Sequence, residues 1–172
     1  MTAKHDESQK MSSADRLHNL TQGTAQERAE AAESLAQQGP NAAFAATELV
    51  KACGDEQAIS DWAVAALEEL GPPPTAAISS LAKLTGSDNA QTAYWAITLL
   101  GRAGREAASY QNLLAEILEQ SGEISLKERA AWGLGRMHAD SAKAVMALKQ
   151  AALSQNERLS RLSGKSLQQT QA

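Results

Sequence analysis

Leucine recurs in this chain at Leu35, Leu67, Leu100 and Leu134, spaced by 32, 33 and 34 residues. Each stands four residues before a turn position filled by Gly39, Gly71, Gly104 or His138, and ten residues after each turn comes a second leucine: Leu49, Leu81, Leu114 and Leu148. A unit of about 33 residues with an apolar stripe on each side of a turn cannot bury that stripe alone, and must stack on copies of itself. The register therefore predicts an all-α stack of about four helical hairpins.

The punctuation between the leucines agrees with this reading. Gly39 and Gly71 are expected to take the left-handed conformation that closes a first helix, and Pro40 or Pro72 opens the next, where a missing N–H costs nothing. Thr24 with Glu27 and Ser125 with Glu128 read as capping boxes, and Asp55 and Asp88 as N-caps. The helices are placed at 25–38, 41–53, 56–70, 73–85, 89–103, 105–120, 125–138 and 140–154. A further helix at 156–169 carries Leu167, 33 residues after Leu134, and reads as a C-terminal cap. The repeats then run about 24–54, 55–87, 88–122 and 123–154, in one domain over 14–172. Residues 1–13 are polar and Ser-rich without periodicity, which predicts a flexible tail, and ADRLHNL is expected to add one helical turn.

Composition supplies the means of close stacking. Hydrophobic residues make up 43% of the chain while aromatics make up 3%, with Phe44 the one phenylalanine, so the apolar content is mainly small and Ala-rich. Alanine has the best intrinsic helix propensity, and small side chains let helices approach. Sixteen Lys and Arg against twenty Asp and Glu give a net charge of -4, which argues against a nucleic-acid partner. One cysteine, Cys53, offers neither an internal disulfide nor a thiol cluster. No apolar run approaches the length of a membrane span, and the start of the chain carries no signal-like segment, so a soluble cytoplasmic protein is expected.

The fourth unit, RAAWGLGRMHADSAKAVMALKQAAL, is similar to the HEAT-like repeats of phycobilin lyases, with AAxxLGxx, a turn and a helix carrying AVxAL. The resemblance covers roughly Thr24 to Leu153. It implies a right-handed α-solenoid acting as a scaffold or adaptor, with chromophore handling in a minority of members. The chain departs from the pattern by lacking the frequent Asp-Pro turn and by keeping few of the Asp and Arg ladders between repeats. Tetratricopeptide repeats share the period, but here the prolines fall between the paired helices, which favours the HEAT pattern.

Two faces present themselves for binding. On the first helices, the residues nine, six and two before each turn lie within about 60° of one another and away from the core leucine. All three tryptophans fall on this stripe, as Trp62, Trp95 and Trp132, together with Arg102, Arg129 and Arg136. Trp and Arg are enriched among interface anchors, so these six are the leading partner-binding candidates. The plainer alternative is that the tryptophans fill grooves between successive first helices. Arg136, four residues from Trp132, is also placed for a cation–π contact with it. On the second helices, Phe44, Lys51, Lys83 and Leu113 mark a second, more mixed candidate face.

Little in the sequence points to catalysis. The three histidines are scattered, Cys53 stands at a core-directed position, and no metal-binding or phosphate-cradling motif occurs. The expected function is a protein-protein interaction scaffold with no cofactor and a protein or peptide partner. A HEAT-like chromophore lyase or lyase-associated subunit is the alternative, and a nucleic-acid-binding HEAT-like protein stands behind it.

Overall fold

All eight registered leucines are buried without measurable exposure, four on the first helices and four on the second. The computed structural model describes residues 11–170, so the first ten residues of the tail expected over 1–13 lie outside them, while Ser12 and Ser13 cap and open the first helix. Ten α-helices follow one another: α1 (Ser13–Gln22), α2 (Ala25–Ala36), α3 (Ala46–Ala52), α4 (Gln57–Glu69), α5 (Ile78–Leu84), α6 (Ala90–Ala103), α7 (Gln111–Gln120), α8 (Ile124–Arg136), α9 (Ala142–Ala151) and α10 (Glu157–Thr170). Among the described residues there is no strand. The first helices α2, α4, α6, α8 and α10 form one layer, and α3, α5, α7 and α9 form the other. Each second helix packs on the first helix of the following unit. This is an α-solenoid of helical hairpins.

The N-terminal end is more ordered than its sequence suggests. In place of one turn, α1 runs for ten residues, opened by a capping box in which Ser12 and Asp15 satisfy each other's backbone N–H. It buries Arg16 and Leu20 against the first repeat, and the Arg16 guanidinium donates to Ser34 at 2.9 Å. The spacing of Leu17 and Leu20 carried this signal, hidden among polar neighbours. At the other end α10 buries Leu159, Ser163 and Ser166, with Leu167 packed against the core, and closes the stack as expected.

The second helices begin tightly wound. Residues 39–45, 75–77 and 104–110 are 3-10 turns that lead into α3, α5 and α7. Gly39 and Gly104 take positive φ, and His138 does so at the fourth turn at 51°. Gly71 does not, contrary to expectation. It precedes Pro72, whose ring pushes the preceding residue toward extended backbone, and α4 ends through Leu70 at ψ 128°.

Several acids expected as local caps are used across repeats. Thr24 and Glu27 do form a capping box. Asp55, however, pairs with Arg28 of α2, so Glu56 stands at the N-cap of α4 and makes no side-chain capping bond. Glu128 lies inside α8 and pairs with Arg158 of α10 at 3.0 Å. Asp88 is passed over because Asn89 accepts from the N–H groups of Gln91 and Thr92, both at 3.0 Å. With Lys143 on Glu116 at 2.6 Å, three ion pairs among the described residues join one unit to the next, more than the sparse ladders in the sequence implied.

Small residues set the spacing of the C-terminal half. Gly101 on α6 faces Gly133 on α8 so closely that a Cβ on Gly101 would lie 3.0 Å from the Gly133 Cα and run into the Trp132 ring. Gly135 meets α10 in the same way, where a Cβ would stand 2.8 Å from the Ser166 Cβ. α4 and α6, by contrast, do not pack closely, and α6 lies against α3 and α5.

Gly101→Ala should therefore lose stability. Overpacking costs about 1–3 kcal/mol against about 1 kcal/mol of regained helix propensity. Leu134→Ala should cost about 2–5 kcal/mol. Urea denaturation followed by circular dichroism measures both, and a Gly101→Ala midpoint at or above that of the parent would show that the close approach is no constraint.

Candidate functional site

The outer stripe of the first helices is not one uniform surface, because α6 is walled in on most sides. Thr92, Ala93 and every residue from Trp95 to Gly101 are buried on that helix. Trp95 is only 7% exposed, so its expected role as a partly exposed anchor does not hold. It fills the interior, edge-on to Tyr94 at 5.8 Å and 86°, with the Arg102 guanidinium 5.7 Å from its ring. Trp62 on α4 is 40% exposed, and Trp132 on α8 is half-buried.

The arginines divide by role. Arg102 reaches back to the C-terminal end of α4, where helix carbonyls lack intrahelical partners. It donates to the carbonyls of Leu67, at 2.6 Å, and of Leu70. A cation at this end also opposes the helix dipole. Burial and the neighbouring Arg129 charge together disfavour the protonated form of Arg102, although Glu68 and Tyr94 favour it. Arg129 lies 4.5 Å from the Tyr94 ring centroid and 5.3 Å from that of Trp132, and it donates to the Tyr94 hydroxyl. The cation–π contact expected from Arg136 is thus made by Arg129, one turn before Trp132 and two before Arg136 on the same face of α8. Arg136 is exposed, and its guanidinium has no hydrogen bond or ion pair among the described residues.

These side chains enclose two hollows that share the Trp132 indole as a wall. One, of about 260 Å³, is lined by Tyr94, Ser125, Glu128, Arg129, Trp132, Arg158 and Leu162. The other, of about 400 Å³, lies where α4 and α6 part, and is lined by Leu70, Gly71, Pro72, Arg102, Trp132 and Arg136. Four guanidiniums thus border the pair of hollows with one carboxylate, that of Glu128, which is already held by Arg158. The candidates Arg102, Arg129, Trp132 and Arg136 come together here, while Trp62 lines neither hollow.

Tyr94, Arg158 and Leu162 belong to the site and were missed. Tyr94 immediately precedes Trp95 in the sequence. Leu162 could have been found by carrying the register into α10, since it stands five residues before Leu167, as Trp95 stands five before Leu100.

The second face is less organised. Phe44 is exposed at 39%, and Lys51 and Lys83 are also exposed, with Lys51 near Glu48 at 3.6 Å. Leu113 is half-buried and borders a shallow hollow with Thr85, Glu116, Ile117 and Leu126, which Phe44, Lys51 and Lys83 do not line. The four residues do not form one site.

Cys53 is buried, and burial pushes its thiol up to about 12. Among the described residues no group of His, Cys, Asp and Glu is arranged to hold a metal ion, and no helix is long and apolar enough to cross a membrane.

No family model matches the sequence, and no curated protein does. Solved structures match the fold. A designed armadillo repeat protein in complex with the peptide (KR)4 aligns with a TM-score of 0.68 at 14% identity, over 91% of this chain and 81% of that one. An engineered protein, Northeast Structural Genomics Consortium target OR329, aligns with a TM-score of 0.63 at 19% identity, over 92% and 78%. A second engineered protein of that consortium, target OR497, gives 0.65 at 18%, with 93% of this chain covering 48% of the other. At these identities the likeness establishes the fold: an all-α repeat solenoid of the armadillo and HEAT-like kind.

Two solution measurements check the site. In variants retaining one tryptophan each, iodide should quench Trp62 most and Trp95 least, and equal quenching would contradict the burial of Trp95. Cys53 should resist iodoacetamide at about pH 8 in the folded protein and react in denaturant, since the thiolate is the nucleophile.

Proposed function

We propose that this chain is a non-catalytic scaffold that holds a protein or peptide partner on its outer face, at the two hollows flanking Trp132. The observation that carries this reading is Trp132 itself, a half-buried indole serving both hollows beside the guanidinium of Arg136, which has no partner among the described residues. Trp and Arg are the residue types most often found to dominate binding energy, and they do so in pockets where water is excluded around them.

The setting supports the same use. The hollows are walled by helices already packed in the free protein, so a ligand need order little to bind, and preorganisation of this kind raises affinity. Solenoids present extended surfaces of this sort, and a designed armadillo relative in fold is one that holds a peptide. The inert thiol of Cys53 leaves no activated nucleophile at that position. Both ends of the stack are covered by amphipathic helices with polar outer residues, His18 and Thr21 on α1 and Arg161 and Lys165 on α10. This favours side-on binding over stacking of copies end to end.

Affinity capture with mass spectrometry tests the reading. Trp132→Ala and Arg136→Glu should each lose partners that the parent chain retains, and circular dichroism should show both variants folded. Retention of every partner by both variants would remove the site.

A further inference from the structure

The hollow between α4, α6 and α8 has an electrostatic character that narrows its occupant. Arg136 stands at its rim, exposed and without a partner among the described residues. Arg102, partly buried in its lining, donates to the backbone carbonyls of Leu67, Glu68 and Leu70, which are neutral groups, and among the described residues the Glu68 carboxylate acts on it only from a distance and not by contact. Beyond Trp132, Arg129 is likewise held by two aromatic rings and a phenol, with no acid in contact. Leu70 and Pro72 make the opposite wall apolar.

The wider charge distribution points the same way. Residues 1–86 contain six Lys and Arg against twelve Asp and Glu, whereas residues 87–172 contain ten against eight. The potential therefore runs from negative at the start of the stack to positive at its end, and such fields steer charged ligands. An anion is repelled from the first two repeats and drawn to the last two, which supply Arg102, Trp132 and Arg136 to the hollow, while the second repeat supplies Leu70, Gly71 and Pro72.

We infer that this hollow receives a short acidic segment of a partner protein, with a side-chain carboxylate on Arg136 and an adjoining apolar residue against Trp132 and Pro72. The inference rests on the scaffold reading and adds the chemistry of the partner. A guanidinium can take a carboxylate through two parallel N–H bonds, which fixes the direction of approach as well as adding energy. A nucleic acid fits less well. Its affinity comes from many phosphate contacts along a track, while here the cations are gathered at one end of an otherwise acidic molecule. The sign is also opposite to that of the basic peptide held by the designed armadillo protein.

The test uses the full chain and three labelled probes in fluorescence anisotropy. These are an octapeptide of alternating Asp and Glu with one central Phe, the same peptide with Lys and Arg in place of the acids, and a short oligothymidylate. At about 50 mM salt, where charges are weakly screened, the acidic peptide should bind saturably and the basic one should not. Arg136→Glu should weaken acidic binding by about tenfold or more, while Arg161→Glu, on the outer side of α10, should change it by less than about twofold.

No saturable binding of the acidic peptide, or equal effects of the two substitutions, would overturn the inference. So would oligothymidylate binding as tightly as the peptide with the same dependence on Arg136, which would make the hollow a polyanion site. If in the capture experiment Trp132→Ala loses partners that Arg136→Glu keeps, the scaffold reading stands and the acidic partner falls. If neither variant loses any, both fall.

Discussion

The close approach of α6 and α8 at Gly101 and Gly133 is the contact on which the rest of the outer face depends. Two glycines facing each other remove the side chains that would hold the helices apart, and the Trp132 ring lies over the space that a Cβ on Gly101 would need. With the indole placed there, Arg129 has a second ring beside it, and the surface divides into two hollows instead of one continuous groove. A larger residue at Gly101 would move the ring, and both hollows would change together.

Around this contact the chain uses polar groups to set one unit against the next. Arg102 satisfies the carbonyl end of α4, thirty-odd residues away, and bridges the one place where successive first helices stand apart. Asp55 and Glu128 serve Arg28 and Arg158 in other units instead of capping their own helices. Partly exposed ion pairs contribute little stability each, about 0–1 kcal/mol. Their value here is directional, because leucines burying against leucines hold the layers together without fixing how far each hairpin slides along the next. Gln111 adds to this by accepting the N–H groups of Asp140 and Ser141 at 2.8 and 3.0 Å, tying the fourth turn to α7.

The same departures from regularity create the site. In a strict repeat, α4 and α6 would pack as α2 and α4 do, and the hollow lined by Pro72 and Arg136 would be filled. α4 ends in extended backbone at Leu70, ahead of Gly71 and three consecutive prolines, and α6 does not pack on α4 as α4 packs on α2. At this gap Arg102 meets backbone carbonyls and the Trp95 ring in place of acids, and Arg136 has no partner among the described residues, which leaves positive charge available on a molecule whose net charge is -4.

The sequence by itself determined the repeat, its leucine register, the caps at Thr24 and the closing helix that carries Leu167, because these follow from helical periodicity and local backbone chemistry. It also placed Arg102, Arg129, Trp132 and Arg136 on one stripe. It could not separate Trp62, Trp95 and Trp132, which lie on one stripe yet differ from exposed to buried. That difference comes from how many neighbours surround each helix, and α6 has several while α4 lies open on one side. Nor could it show Arg129, not Arg136, lying over the Trp132 ring, or Asp55 leaving its cap for Arg28. Such choices compare a local contact with one about thirty residues distant, and only the packed tertiary structure brings the distant group within reach.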